Sequence, residues 1–271
     1  MTPLARSNPR VKQAARLSRR SERSERRLFL ADGPKAVEGA LGVPDCVVEV
    51  FATPAAAEQY ADLLAAAPVT LVEDRALAVL SDAVSPAGVV AVCRFLDVPL
   101  SRALRTVESG VSHARVGDRV RLVAICADVR DPGNAGTVIR CADAAGADAV
   151  VLAGDAVDLY NPKTIRASVG SAFHLPIVIE RDPLLAVQAA RDAGLTVLAA
   201  DMDGTSIFEA DDLLAAPTAW LFGNEAWGLP DHLAGAAEHV MSIPIFGAAE
   251  SLNLSTAAAL CLYASARAQR G

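Results

Sequence analysis

Short apolar runs alternate with helix-like stretches almost from end to end of this chain, and that alternation constrains its fold more than any other feature. Six runs, at 120–126, 149–152, 176–179, 196–200, 218–222 and 239–242, are short and rich in Val, Ile, Leu and Ala. Continuous apolar strands with helices between them predict a mainly parallel sheet covered on both faces, an α/β fold. A closing helix is expected over 254–269. The first part of the chain repeats the alternation on a smaller scale. A basic helix at about 9–26 precedes strands at 28–31, 46–51, 69–72 and 88–95, with helices at 33–41, 54–64 and 74–81 between them. Pro99, Gly110 and Gly117 then interrupt the pattern. The reading is a smaller α/β unit over 1–96, a linker over 97–117 and a larger unit over 118–271.

Composition narrows the function classes. Of the 271 residues, 52% are apolar but only 4% aromatic, so the core is Ala, Val and Leu. That argues against a protein that holds bases mainly by stacked aromatics. The longest uncharged stretch, 251–266, contains Ser, Thr and Asn and is shorter than the ~18 apolar residues of a helical span. The first apolar cluster is only Leu28-Phe29-Leu30, so no secretory leader is expected. Five scattered cysteines form no CxxC and no Cys/His cluster, which fits a reduced cytoplasmic protein without a structural metal. His113, His174, His232 and His239 show no evident partners in the sequence.

Charge divides the chain. Residues 1–27 carry nine basic and two acidic side chains, whereas the remaining 244 residues carry 16 basic and 30 acidic ones. A basic arm on an acidic body suits a nucleic-acid-binding head, and equally a solvated basic helix.

In open parallel sheets, ligands bind outside the carboxyl ends of the strands. Three polar loops fall there. Asp131-Pro132-Gly133-Asn134-Ala135-Gly136 follows the 120–126 strand and leads into a helix carrying Arg140. Gly223-Asn224-Glu225-Ala226-Trp227-Gly228-Leu229-Pro230 follows 218–222. Ile243-Pro244-Ile245-Phe246-Gly247, then Glu250-Ser251-Leu252-Asn253-Leu254-Ser255, follow 239–242. None is GxGxxG and none is GxxxxGK[ST], which argues against a nicotinamide-dependent oxidoreductase and against a P-loop protein. Taken singly, each residue has a plain reading. Arg140 reads as a helix-surface arginine paired with Asp143, Asn134 as an N-cap, Ser251 and Asn253 as caps of the last helix, Ile243 and Leu252 as core. Trp227 and Phe246 suit packing better than stacking on a base.

Together the loops resemble the three motifs of the SpoU (TrmH-like) RNA 2′-O-ribose methyltransferases of the SPOUT superfamily. The first motif matches from Asp131 through Arg140, Ala142-Asp143 and Gly146-Ala147. The second matches Leu221-Phe222-Gly223-Asn224-Glu225 with Gly228-Leu229, and the third Ile243-Pro244 with Ser251-Leu252-Asn253-Leu254-Ser255. Arg166-Ala167-Ser168, Gly170-Ser171, Phe173 and Leu175-Pro176 resemble a further shared segment. More loosely, Phe29-Leu30-Ala31-Asp32-Gly33-Pro34-Lys35 and Ser85-Pro86-Ala87-Gly88-Val89 resemble a ribosomal-protein-like substrate-binding domain. Ala226-Trp227 stand where such loops vary.

The resemblance implies a SPOUT domain with a C-terminal trefoil knot, S-adenosylmethionine as cofactor, a homodimer and no metal. It implies catalytic roles for Arg140, Asn134, Glu225, Ser251 and Asn253, and cofactor contacts from Gly223, Ile243, Leu252, Leu221 and Pro244. Arg166 and the arm residues Arg19, Arg20, Arg23, Arg26 and Arg27 become candidates for RNA phosphates. A guanidinium keeps its proton at ordinary pH, so Arg140 suits phosphate gripping and alkoxide stabilisation better than proton abstraction. Glu225 is expected to hold its loop through backbone N–H groups or to pair with an arginine. The implied reaction is 2′-O-methylation of RNA, ribosomal RNA foremost by the two-domain build. Transfer RNA, an antibiotic-resistance variant of the same chemistry, and a catalytically silent RNA-binding protein are the alternatives.

Overall fold

The computed structural model describes residues 2–105 and 119–271. Most of the expected linker, with His113, lies outside the described residues. By internal packing the chain divides into Met1–Leu96 with Asp158–Phe173 (unit 1), and Asp97–Val157 with His174–Gly271 (unit 2).

Unit 1 is built on four strands, β1 (Leu28–Asp32), β2 (Val47–Ala52), β3 (Val69–Leu71) and β4 (Val89–Arg94), in the order β1-β4-β2-β3. β4 runs antiparallel to both neighbours, while β2 and β3 are parallel. The basic helix expected over 9–26 is broken. Pro9–Ala15 is α-helical, Arg16–Ser18 a 3₁₀ turn and Arg20–Arg26 a second helix. The break has a side-chain cause. Arg23 turns inward and its Nη1 donates to the carbonyls of Leu17 and Ser18 at 2.9 and 2.7 Å, satisfying acceptors that a continuous helix would have used itself. The helix expected over 54–64 is also divided, at Tyr60, into Pro54–Gln59 and Ala61–Leu64.

The segment Asp158–Phe173, far along the chain, completes this unit. Arg23, only 3% exposed, meets Asp158 Oδ2 at 2.6 Å. Tyr160 stacks on Phe95 with ring centres 3.7 Å apart, touches Phe29, and accepts the Leu96 N–H at 2.6 Å. Phe173 stacks on Phe29 from the other end of the segment.

Unit 2 holds six strands, β5 (Leu122–Ala127), β6 (Ala149–Ala153), β7 (Ile177–Glu180), β8 (Thr196–Ser206), β9 (Thr218–Phe222) and β10 (His239–Ser242), in the order β10-β8-β9-β5-β6-β7. Every neighbouring pair is parallel, as the continuous apolar runs predict. β5 and β9 lie side by side, yet the chain leaves β5 toward β6 and leaves β9 toward β10. That reversal opens a crevice at their carboxyl ends. β8 is longer than expected. Its Ala199 pairs with Val240 and its Thr205 with the next residue, Met241, so residues 200–204 bulge out of the ladder.

The helix Leu254–Arg270 buries Ala258, Cys261, Leu262 and Ser265 against this sheet. Ser265 Oγ accepts the buried indole N–H of Trp220 at 2.9 Å, which pins the helix to β9 and so fixes where it begins. Residues 97–104, read from sequence as the start of a linker, instead pack on unit 2. Ala103 and Leu104 are buried in its core, and the Val98 N–H bonds to the Ile177 carbonyl at 3.0 Å.

Candidate active site

The three polar loops converge at the crevice beyond β5 and β9, and one carboxylate ties them. Glu225, after β9, accepts the backbone N–H groups of Arg130 and Asp131 at 3.2 and 3.1 Å, both in the loop after β5. The side-chain amide of Asn134 donates to the same carboxylate at 3.1 Å. Asn134 in turn accepts the Asn253 amide at 3.0 Å, which draws in the loop after β10. The expectation that Glu225 holds its loop through backbone N–H groups agrees with this geometry; among the described residues no arginine side chain is bonded to it.

Local sequence explains how each loop presents these groups. Asp131, not Asn134, caps the Pro132–Ala145 helix by accepting the Asn134 N–H at 2.8 Å, with Pro132 at the first helical position. Asn134 therefore sits within the first turn, where its amide is free to reach Glu225. Asn253 does cap the last helix, accepting the Ser255 N–H at 2.9 Å while its amide reaches Asn134. Asn224, which sequence reasoning gave no role, is 6% exposed. Its amide donates to the Asp128 carbonyl at 2.6 Å and its oxygen accepts the Ala226 N–H at 2.8 Å. An Asn bonding two residues ahead is a local turn signal that sequence could have supplied. Gly223 is also explained differently. A Cβ there would lie 2.3 Å from the Gly228 carbonyl carbon, so the glycine lets its own loop close on itself, joining Asn224 and Gly228 in a backbone bridge.

Beside this network lies a cavity of about 710 Å³. Gly223, Ile243, Pro244 and Leu252 line it, as do Glu225, Ser251 and the bulged Met202. Its size falls within the range of small-molecule sites. Apolar walls from Met202, Met241, Ile243 and Leu252, with polar groups from Asn224, Glu225 and Ser251 at the edge, suit a ligand carrying both an aromatic ring and charged ends. Leu221 does not join them. It is fully buried within β9 and belongs to the core.

Arg140 lies six residues beyond Asn134, roughly 9 Å along the helix axis, and is not among the residues lining the cavity. It is exposed and has no hydrogen-bond or ion-pair partner among the described residues. Asp143, the partner expected for it, instead meets His174 Nδ1 at 2.8 Å, which also corrects the reading of His174 as partnerless. Trp227 and Phe246 are 54% and 89% exposed, contrary to the packing role read from sequence. The Arg130 guanidinium lies 5.2 Å from the Trp227 ring centre and is paired with Asp155 at 2.9 Å.

The phosphate candidates fare unevenly. Arg23 is enclosed and neutralised by Asp158, so it has no surface to offer a phosphate. Arg166 is bonded to Asp82 and lies 3.7 Å from Asp32. Arg26 donates to the Gln13 carbonyl at 2.8 Å, and Arg27 lies 4.5 Å from the Phe95 ring centre. Arg19 and Arg20 are exposed. Among the described residues no cluster of His, Cys, Asp and Glu could hold a metal ion, and no helix is long and apolar enough to cross a membrane. Cys126, under the site, has its thiol pushed up to about 12, by burial first and the Glu225 charge second, so it is inert at neutral pH.

Residues 121–263 match the model of the SpoU rRNA methylase family, and residues 8–91 that of an MRM3-like substrate-binding domain. The chain is 31% identical over 260 residues to the 23S rRNA (guanosine(2553)-2′-O)-methyltransferase of Bacillus subtilis, covering 94% of this chain and 95% of that one. It superposes on the AdoMet-bound rRNA methyltransferase of Sinorhizobium meliloti with a TM-score of 0.79 at 32% identity, covering 98% of this chain and 97% of that one. It superposes on the SpoU methyltransferase AviRb of Streptomyces viridochromogenes, in complex with AdoMet, with a TM-score of 0.78 at 29% identity, covering 96% of this chain and 98% of that one.

Proposed function

This chain belongs to the SpoU rRNA methylase family, and from that premise we propose that it methylates the ribose 2′-hydroxyl of ribosomal RNA, using S-adenosylmethionine. The observation that carries the reading is the network through which Glu225, Asn134 and Asn253 draw three loops together beside the cavity. Gly223, Ile243, Pro244 and Leu252 are the residues that would hold the cofactor. Bound there, S-adenosylmethionine supplies a methyl group already activated by its sulfonium.

The protein's task is then positional. Asn134, Glu225 and Asn253 fix the loops, and Ser251 stands at the cavity wall facing the substrate. Holding two reactants in line supplies much of the rate gain without any metal. Arg140 grips the neighbouring phosphate and stabilises the alkoxide that develops as the hydroxyl loses its proton. Arg140 lies outside its own chain's cavity lining and is unpartnered. That supports a homodimer in which the cavity is completed by Arg140 of the partner subunit. Residues 1–96 recruit RNA and 118–271 catalyse. The C-terminal end is read as the trefoil knot of the family, and the protein as cytoplasmic, where ribosomal RNA is modified.

The test is transfer from labelled S-adenosylmethionine to ribosomal RNA, with the product nucleoside identified after nuclease digestion. Arg140→Ala should lower kcat on the order of a hundredfold or more while calorimetry shows unchanged cofactor binding. Mixing Arg140→Ala with Glu225→Ala subunits should restore activity. Absence of both transfer and cofactor binding in the wild type would leave an RNA-binding protein without catalysis.

A further inference from the structure

A second cavity, of about 950 Å³, lies wholly within unit 1 and is lined by cations. Its walls carry Arg6, Lys12, Arg16, Arg19 and Arg75, with Glu73 as the one acid. The sequence places these side chains there in three steps. First, Leu4 adds to the edge of β3. Its N–H bonds to the Leu71 carbonyl at 2.8 Å and its carbonyl accepts the Glu73 N–H at 3.0 Å, which brings Arg6 beside Arg75. Second, Val11, Ala14 and Leu17 bury one stripe of the arm against Leu77 and Leu80. Third, Lys12 and Arg16 stand four apart where the first helix passes into the 3₁₀ turn, and Arg19, extended after that turn, brings its side chain to the same groove.

Arg16 is held by Glu22, at 2.8 Å from Nε. Arg6, Lys12, Arg19 and Arg75 are exposed, and their side chains have no hydrogen-bond or ion-pair partner among the described residues. Exposed, unpaired cations lining one concavity focus a positive potential there, and that draws polyanions to it. The groove has no aromatic lining, so it offers no platform for stacking bases.

Resting on the reading above, we infer that this groove is a sequence-independent seat for the RNA phosphate backbone, separate from the crevice of unit 2. It includes Arg6 and Arg75, which the arm's charge alone did not indicate, and it leaves out Arg23, which is structural. Its contacts position the RNA and carry no base information.

The experiment uses full-length protein and two fluorescein-labelled RNA hairpins with permuted stem sequences, titrated over a range of salt concentrations. Each phosphate contact contributes a slope of roughly 0.7 to 0.9 in log affinity against log salt. Arg6→Gln with Arg75→Gln should weaken both hairpins equally, about tenfold at physiological salt, and flatten the slope by about 1.4 to 1.8. Arg75→Lys should keep most of the affinity, because the charge remains. A charge-matched pair in unit 2, Arg105→Gln with Arg181→Gln, should leave the slope unchanged. Cofactor binding by calorimetry should be the same in all variants.

If the wild type methylates ribosomal RNA but the Arg6/Arg75 variant keeps the full slope, the groove proposal falls and the enzyme reading stands. That outcome would assign the groove to another anionic partner, such as an acidic protein. A loss confined to one hairpin also overturns the proposal, because it would mean the groove reads sequence. If the wild type binds neither hairpin yet methylates ribosomal RNA, the groove proposal alone falls; if it neither binds nor methylates, both readings fall.

Discussion

Unit 1 and unit 2 hold themselves together in different ways. The main core cluster of unit 2, around β5, β6, β8 and β9, contains only Ala, Val, Leu and Ile. Unit 1 gathers four aromatic rings, Phe29, Phe95, Tyr160 and Phe173, two of which arrive on a segment distant in sequence. It also encloses an ion pair, Arg23 with Asp158, that spans the same sequence gap. The aromatic pair of unit 2, Trp220 with Phe222, lies on one of its own strands, whereas unit 1 depends on a few side chains carried in from a segment distant in sequence. A small unit with a modest core gains more from each such contact.

The largest effect should come from Arg23→Ala. It strands Asp158 in buried surroundings and leaves the Leu17 and Ser18 carbonyls without their donor, a loss of about 3 to 5 kcal/mol. Urea unfolding should show it, and hydrogen exchange should localise the loosening to β1 and β4. Equal loosening of β5 and β9 would mean that the two units do not differ in this way.

Unit 2 has its own buried carboxylate, used differently. Asp148 accepts the N–H groups of Arg121 and Leu122 at 2.6 and 3.0 Å, closing the start of β5. Burial raises its pKa from the ordinary 3.8, an effect that those hydrogen bonds oppose without cancelling. The folded state thus holds this proton more tightly than the unfolded chain. Its contribution favours folding at low pH and fades as pH rises through the raised value. Asp148→Ala should cost about 2 to 3 kcal/mol by stranding two donors. Asp148→Asn keeps an acceptor and removes the buried charge, so it should be neutral or stabilising at pH 7, and it should steepen the acid limb of the stability profile, because the stability Asp148 gains on protonation is lost. An Asn variant as damaged as Ala would show that the charge itself holds β5.

The same contrast explains what was legible in the sequence. The six strands of unit 2 and its three site loops follow from period, short length and turn residues, all of them local. Glu225 as a loop holder was readable because Gly223 and Gly228 flank it. Asp131 as the cap was missed because Asn134 also reads as one, and only the Pro132 position decides between them. The break in the basic arm was hidden because its cause, Arg23 turning toward Asp158, lies 135 residues away. The bulge at 200–204 was hidden likewise, since β10 sets it by pairing across the gap. The position of Arg140 outside its own cavity is a property of packing that no local pattern encodes.

The finest probe of the long-range side of the comparison is a glycine inside a helix. Gly39 lies in the Pro34–Leu41 helix, where alanine would ordinarily add up to about 1 kcal/mol of helix stability. A Cβ at Gly39 would instead lie 2.8 Å from Phe173 Cδ2 and 3.1 Å from the Gly170 carbonyl, both on the distant segment. Gly39→Ala should therefore destabilise by about 1 to 2 kcal/mol, through crowding that outweighs the propensity gain. Phe173→Leu also destabilises when made alone, because a stacked ring is lost. Combined with Gly39→Ala it should recover part of the first loss, giving a favourable coupling in a double-mutant cycle. Additive losses, or a stabilising Gly39→Ala, would mean that the segment yields at this contact. Unit 1 would then lean on its ion pair more than on its aromatic packing.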